Sequence, residues 1–164
     1  LGNGYPLDEI KAAKSVMIMG GGIGIPPMVE LAQKLSCEKT IVVGYRNDDL
    51  FLNQELYQNG TLYIATEDGS IGTKGNVLDA VREKGLHAEV ICACGPMPML
   101  RAIKQYAKEN GIKAYISLEE RMACGVGACL GCVCKTKETD HHSHVNNTRI
   151  CTNGPVFDAE EVEI

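Results

Sequence analysis

Val16-Met-Ile-Met-Gly-Gly-Gly-Ile-Gly-Ile-Pro-Pro27 decides how the rest of the chain is read. Four consecutive apolar residues without alternation fit a strand buried on both faces, as in a parallel sheet covered by helices. Four glycines within the next five positions let the backbone turn sharply and approach a partner closely. Pro26 and Pro27 then suit the first turn of a helix, where a missing N–H costs little. Such a turn is shaped for a pyrophosphate, because a helix start carries unpaired amides and partial positive charge. Gly20, Gly21, Gly22, Gly24 and Pro26 are therefore candidate nucleotide-binding residues. The dinucleotide fingerprint G-x-G-x-x-G is not met, since Ile25 stands at the third glycine counted from Gly20 and Pro27 at that counted from Gly22. A tight strand-to-helix turn without a ligand is the other reading of these residues.

Outward from this turn, β-branched runs alternate with amphipathic stretches as far as residue 119. Val16-Met-Ile-Met, Thr40-Ile-Val-Val-Gly, Leu62-Tyr-Ile-Ala-Thr, Glu89-Val-Ile-Cys-Ala-Cys and Lys113-Ala-Tyr-Ile-Ser read as five strands. Helices are expected over 25–35, 50–56, 75–84 and 98–110, with Gly85 and Gly111 as stops. The alternation predicts βαβ units and an α/β fold: a five-stranded doubly wound parallel sheet over 16–119. In such sheets ligands bind beyond the carboxyl ends of the strands where the strand order reverses, here between strands one and four. Cys94-Gly95-Pro96 closes strand four and would face the same crevice as the glycine turn. Cys94 reads either as an ordinary buried cysteine or as a thiol beside a cofactor ring.

The chain has 164 residues and a mass of 17.7 kDa, room for one domain with a small appendage. With 45% hydrophobic and 23% charged residues it has the composition of a globular protein with a self-sufficient core. The net charge of -5 and the scattering of its 16 basic residues argue against a nucleic-acid surface. The longest uncharged apolar stretch, over 16–29, has 14 residues interrupted by four glycines and two prolines, too short to cross a bilayer. No membrane partner is expected. The first residue is Leu1 with no basic, apolar leader behind it, so a piece of a longer chain is expected.

Five of the eight cysteines fall within 28 residues, and residues 120–155 lose the periodicity of the earlier chain. A Cys-, Gly-, Thr- and His-rich stretch with little apolar content cannot build its own core, so a bound group is expected to organise it. The last residues, 156–164, regain apolar content and can dock back. Cys124, Cys129 and Cys132 form C-x4-C-x2-C, with Cys151 after a further 18 residues. This is the plant-type [2Fe–2S] spacing, in which four thiolates hold two irons inside a glycine-rich loop. Four cysteines can also hold zinc tetrahedrally, although structural zinc sites usually pair two C-x2-C knuckles. Cys134 reads as a spare thiol, with ligand exchange with Cys132 as the alternative. His141, His142 and His144 read as a solvated loop, or as metal ligands of the Rieske kind. A disulfide framework belongs to short secreted chains with weak cores, so a reducing cytoplasm is favoured.

Ser117-Leu-Glu-Glu-Arg-Met-Ala-Cys-Gly-Val-Gly-Ala-Cys-Leu-Gly-Cys-Val-Cys134, with Cys151-x-x-Gly-Pro-Val-Phe157, resembles the cluster segment of dihydroorotate dehydrogenase electron-transfer subunits. The preceding part is similar to the NAD-binding half of the ferredoxin-NADP reductase superfamily, the glycine turn serving as its pyrophosphate loop and Cys94-Gly-Pro as its nicotinamide-side motif. The resemblance implies residues 1–15 as the end of an interdomain hinge, 16–119 as the NAD-binding domain and 120–164 as the cluster-binding segment with its tail. It also implies an FAD domain upstream in a parent protein, since the family's Arg-x-Tyr-Ser/Thr flavin motif is not in this sequence. The partner implied is a catalytic, FMN-containing dihydroorotate dehydrogenase subunit in a heterotetramer, and electrons would pass among FMN, the [2Fe–2S] cluster, FAD and NAD(H). Related subunits of a sulfide dehydrogenase or a ferredoxin:NADP oxidoreductase remain alternatives, as does a non-redox zinc or nucleotide module. NADP-selective relatives place Ser-Arg after strand three, where this chain has Thr66-Glu67-Asp68. Two carboxylates would repel a 2′-phosphate, which predicts NAD(H). Glu67 and Asp68 as simple turn residues are the alternative. The isolated chain is not expected to turn over without the flavin domain.

Overall fold

The computed structural model describes residues 2–139 and 145–164, so His141, His142 and His144 lie outside the described residues. In chain order the elements are α1 (Leu7–Ala12), β1 (Val16–Gly21), a 3₁₀ turn (Gly22–Gly24), α2 (Ile25–Lys34), β2 (Lys39–Tyr45), α3 (Asn53–Asn59) and β3 (Thr61–Thr66). There follow β4 (Thr73–Lys74), α4 (Val77–Glu83), β5 (Val90–Cys94), α5 (Met97–Asn110) and β6 (Lys113–Ser117). Four short strands close the chain: β7 (Val133–Thr136), β8 (Asn147–Arg149), β9 (Val156–Asp158) and β10 (Val162–Glu163).

The main sheet has the order β4-β3-β2-β1-β5-β6-β9. Its five central strands are the five expected from the sequence, all parallel, and the order reverses between β1 and β5. It is wider than expected. The two-residue β4 extends one edge, and β9, from the C-terminal tail, pairs antiparallel with β6 on the other. Strands this short carry no detectable period, which is why the sequence concealed them.

Every residue of β1 is buried, and alternate side chains feed two apolar layers. Met17 and Met19 face a cluster with Val81, Leu100 and Ile103 from α4 and α5. Val16 and Ile18 face Ile25, Met28, Leu31 and Leu56 from α2 and α3. Asn76 accepts the Leu78 and Asp79 amides while the Asp79 carboxylate takes the Asn76 N–H, a reciprocal cap that fixes the start of α4. Helix α5 ends at Gly111, whose φ of 64° suits glycine. Helix α3 starts three residues after the expected position because Leu52 is left-handed, with φ 58°, and residues 50–52 form a turn.

The cysteine-rich segment differs from expectation in one respect: it owns a small antiparallel sheet, β10-β7-β8, with an apolar underside. Cys132, Ile150, Cys151 and Val162 are buried in the same cluster as Leu100, Ile103 and Phe157. Lys104 on α5 donates to the Val162 carbonyl. The segment therefore rests on α5 and the edge of the main sheet. Among the described residues no helix is long and apolar enough to cross a membrane.

Ile18→Ala, at a fully buried site in the central strand, should cost about 2–5 kcal/mol of unfolding free energy, and Asn76→Ala about 1 kcal/mol. Denaturant titration of the two variants checks the ranking, and the reverse order would contradict the layer description.

Candidate functional site

The glycine turn and Cys94-Gly95-Pro96 meet at the point where the strand order reverses. Gly20 of β1 pairs directly with Cys94 of β5. A Cβ on Gly24 would overlap the Cys94 carbonyl and lie 2.6 Å from the Gly95 nitrogen, so only glycine lets these backbones touch. On Gly21 it would come within 2.7 Å of the Met99 sulfur. Pro26 and Pro27 occupy the first turn of α2 and carry no N–H, so the donors available here are the amides of the 3₁₀ turn Gly22–Gly24. That shifts the candidate anion contact from the helix start proper to the glycines. The Cys94 thiol is half-buried; burial pushes it above the ordinary thiol range, its hydrogen bond with Ser117 opposes this, and nearby Glu119 adds to the rise. It is a neutral thiol at neutral pH.

Thr66, Glu67 and Asp68 lie at the carboxyl end of β3, on the same edge of the sheet. They play different parts. Thr66 is fully buried and its hydroxyl closes the loop, donating to the Ile71 carbonyl at 2.8 Å and accepting the Ile71 amide at 3.2 Å. Asp68 accepts the Ser70 hydroxyl at 2.7 Å and the Ser70 amide at 2.9 Å, and these bonds hold its carboxyl below the usual range. Glu67 is exposed, and its amide donates to the Tyr45 carbonyl. Of the three, Glu67 alone presents a carboxylate with no hydrogen bond or ion pair among the described residues. Sequence reading passed over Arg46, which follows β2 on this edge; its carbonyl receives the Asp68 amide, and its guanidinium forms no ion pair among the described residues. Only the β2–β3 register brings it beside Glu67 and Asp68.

Cys124, Cys129, Cys132 and Cys151 converge as two pairs. In the outer pair, the Cys129 amide donates to the Cys124 sulfur at 3.3 Å, and the Gly131 amide to the Cys129 sulfur at 3.4 Å. Amides of Cys129 and Val126, with the Cys129 thiol, lower the Cys124 thiol to about 6. In the inner pair the Cys132 thiol beside Cys151 raises the Cys151 thiol, and the Ile150 amide ties the two loops through the Cys132 carbonyl at 2.9 Å. The Gly127 amide lies near enough to the Cys151 sulfur to counter part of that rise. Gly125 and Gly127 have φ of 66° and 80°, conformations that side chains other than glycine rarely adopt. Cys132 and Cys151 are 1% and 7% exposed, whereas the outer pair is half-buried among the exposed side chains of Met122, Val126 and Leu130. Among the described residues no three His, Cys, Asp or Glu side chains close around one point. Sulfurs that accept backbone amides suit thiolate ligands of either an iron–sulfur cluster or zinc. Cys134 lies on β7 with its backbone paired to Thr148, half-buried; burial raises its thiol, and the nearby Cys132 thiol adds to the rise.

A cavity of about 280 Å³ lies between the two regions, lined by Gly95, Pro96, Met97 and Leu100 on one side and Glu119, Glu120 and Arg121 on the other. A larger hollow of about 460 Å³ is walled by Glu9, Lys113, Tyr115 and Asp158 on one side and by Asn3, Thr148 and Asn153 on the other, so it borders the turn after Cys151 without including the glycine turn or the four thiols.

Residues 119–163 match the family model described as the iron-sulfur cluster binding domain of dihydroorotate dehydrogenase B. Over its whole length the chain is 44% identical to the dihydroorotate dehydrogenase B (NAD(+)) electron transfer subunit of Bacillus velezensis. Over 99% of its length it is 43% identical to the subunit of that name from Geobacillus sp. (strain WCH70). The chain is a homologue of these electron transfer subunits. It spans 63% and 62% of the two relatives' lengths. Among solved structures, an NADH-dependent reduced ferredoxin-NADP oxidoreductase matches 91% of the chain and 54% of its own at 28% identity, with a TM-score of 0.80. The mainly parallel sheet is thus shared with a ferredoxin-NADP oxidoreductase, and the cysteine segment with electron transfer subunits of the dihydroorotate dehydrogenase B type.

Gly24→Ala should force the two turns apart and cost about 1–3 kcal/mol, while Gly4→Ala, where a Cβ meets open space, should change stability by less than about 0.5 kcal/mol. Equal thermal midpoints for the two variants would contradict the packing of Gly24 on Cys94.

Proposed function

We propose that this chain is the nucleotide- and cluster-holding part of the electron transfer subunit of an NAD-linked dihydroorotate dehydrogenase. The observation that carries the proposal is the two-pair arrangement of Cys124 with Cys129 and of Cys132 with Cys151, in a chain homologous throughout to such subunits. The division adopted is 16–119 for the nucleotide, 120–164 for the cluster and 1–15 as the hinge from an FAD-bearing region. Nicotinamide exchanges a hydride and an iron–sulfur cluster single electrons, so FAD is the two-to-one converter the pair requires.

This chain's own residues do three things. Gly20, Gly21, Gly22 and Gly24 clear a path for the nucleotide backbone, and Cys94, Gly95 and Pro96 form the floor of the crevice. Glu67 disfavours a 2′-phosphate; Asp68 and Thr66 act mainly by shaping the loop that carries it. The four cysteines hold the cluster, the outer pair nearer the surface. Exposed Met122, Val126 and Leu130 around that pair support docking of a partner there, the FMN-containing catalytic subunit in a heterotetramer. Acting alone, without the flavin region, the chain has no expected turnover. The likeness to a ferredoxin-NADP oxidoreductase supports a second reading, a subunit that exchanges electrons with ferredoxin. Assay of the full complex with dihydroorotate and with reduced ferredoxin separates the two, and reduction by ferredoxin alone would overturn the first.

Anaerobically purified protein should contain iron and acid-labile sulfide in equal amounts and no zinc. Cys151→Ser should lose most of the iron, while Cys134→Ser keeps it. Stoichiometric zinc would contradict the assignment. NADH should bind the full protein roughly tenfold or more tightly than NADPH, and Glu67→Ser should narrow that gap while leaving NADH affinity nearly unchanged. Titration of both nucleotides checks this, and tighter NADPH binding by the unaltered protein would contradict it.

A further inference from the structure

Residues 2–5 touch both halves of the site. The Asn3 amide donates to the Gly154 carbonyl at 2.6 Å, the Asn3 carbonyl accepts the Val156 amide at 3.2 Å, and Asn3 Nδ2 donates to the Asn153 carbonyl at 3.0 Å. A Cβ on Gly2, whose φ is 82°, would overlap the Gly154 carbonyl. These bonds grip the far side of the turn that presents Cys151. Asn153 finishes that turn: its amide donates to the Arg149 carbonyl at 2.8 Å, and its side-chain oxygen accepts the Thr152 hydroxyl at 3.1 Å and the Arg149 amide at 3.4 Å. Two residues beyond Asn3, the Tyr5 hydroxyl donates to the carbonyl of Ala93 at 2.8 Å, next to Cys94. Burial, with the Cys94 and Cys92 thiols nearby, keeps that phenol protonated, so the donor persists at any ordinary pH.

We propose that residues 2–5 form a brace setting the Cys151 turn against the end of β5, with Asn3 as a positioning residue for the fourth cluster ligand. The proposal rests on the cluster reading above and assigns Asn3 no contact with the cluster. Its contribution comes from sequence distance. Asn3 and Asn153 are 150 positions apart, so besides the brace the Cys151 turn is held to the nucleotide half, among the described residues, by β9, the Leu118 amide on the Pro155 carbonyl and the apolar underside of the small sheet. Isolated surface hydrogen bonds contribute little to global stability, yet they can govern local opening, and local opening controls escape of a ligated metal.

The test uses the full protein, purified anaerobically with its cluster, in four forms: unaltered, Asn3→Ala, Asn3→Asp and Asn59→Ala. Asn3→Asp keeps the shape and removes the donor. Asn59→Ala removes a comparable side-chain bond, Nδ2 to the Glu55 carbonyl at 2.6 Å, at the end of α3. The readouts are iron release to a ferrous chelator, the electron paramagnetic resonance spectrum of the dithionite-reduced cluster, and the thermal midpoint. Both Asn3 variants should release iron roughly two- to tenfold faster and shift or broaden the spectrum, at a midpoint within that of Asn59→Ala. Asn59→Ala should match the unaltered protein in iron release and spectrum. Unchanged release and spectra in both Asn3 variants would overturn the brace, as would equal acceleration in Asn59→Ala. Should an Asn3 variant not fold, hydrogen exchange of the Val156 amide in the unaltered protein serves instead: protection beyond that of the amides of exposed Glu119 and Glu120 supports the brace, and none overturns it. Unaltered protein without iron and acid-labile sulfide would overturn the cluster reading itself, and the brace with it.

Discussion

Backbone contact between the turn after β1 and the turn after β5 is the constraint from which the rest of the site follows. Gly24 presses on the Cys94 carbonyl, and a Cβ on Gly95 would come within 3.2 Å of the Gly21 nitrogen and carbonyl oxygen. Two turns this close leave no room for side chains, so the lips of the crevice are backbone amides and carbonyls, a surface suited to a phosphate chain rather than to an apolar ligand. The contact requires β1 and β5 to be neighbours, and they are neighbours because the chain crosses back over the sheet after β3. Topology, glycine placement and the chemistry of the crevice are one fact seen at three scales.

The cysteine segment extends the same scaffold. Its two pairs differ in exposure because they differ in support. Cys132 and Cys151 are anchored by Ile150, Val162 and Phe157 to the α5 face, whereas Cys124 and Cys129 sit on a loop bent by Gly125 and Gly127. The amide aimed at the Cys124 sulfur favours its thiolate form. On the cluster reading proposed above, such a loop would be partly preorganised for its metal, with Met122, Val126 and Leu130 exposed around it.

What could be read from the sequence follows the strength of local pattern. Val16 to Pro27 announces strand, turn and helix through uninterrupted apolar residues, clustered glycine and paired proline, and the four later strands repeat the first signal. The small sheet was hidden, because Ile150 and Val162 are isolated apolar residues whose burial depends on α5, far away in sequence. The differing parts of Thr66, Glu67 and Asp68 were equally invisible: residue type says carboxylate, but only the loop geometry shows that Ser70 occupies Asp68 and that Thr66 faces inward. The cysteine spacing stands out in the sequence because thiolates sharing one metal group must be supplied at short, fixed intervals, whereas the grip of Asn3 on Asn153 has no sequence period at all.

The most direct test of the central claim is iron K-edge X-ray absorption on the cluster-loaded protein. Two cysteine pairs predict a first shell made only of sulfur around each iron, with a second iron as nearest metal neighbour. A shell containing nitrogen or oxygen, or iron without an iron neighbour, would contradict it.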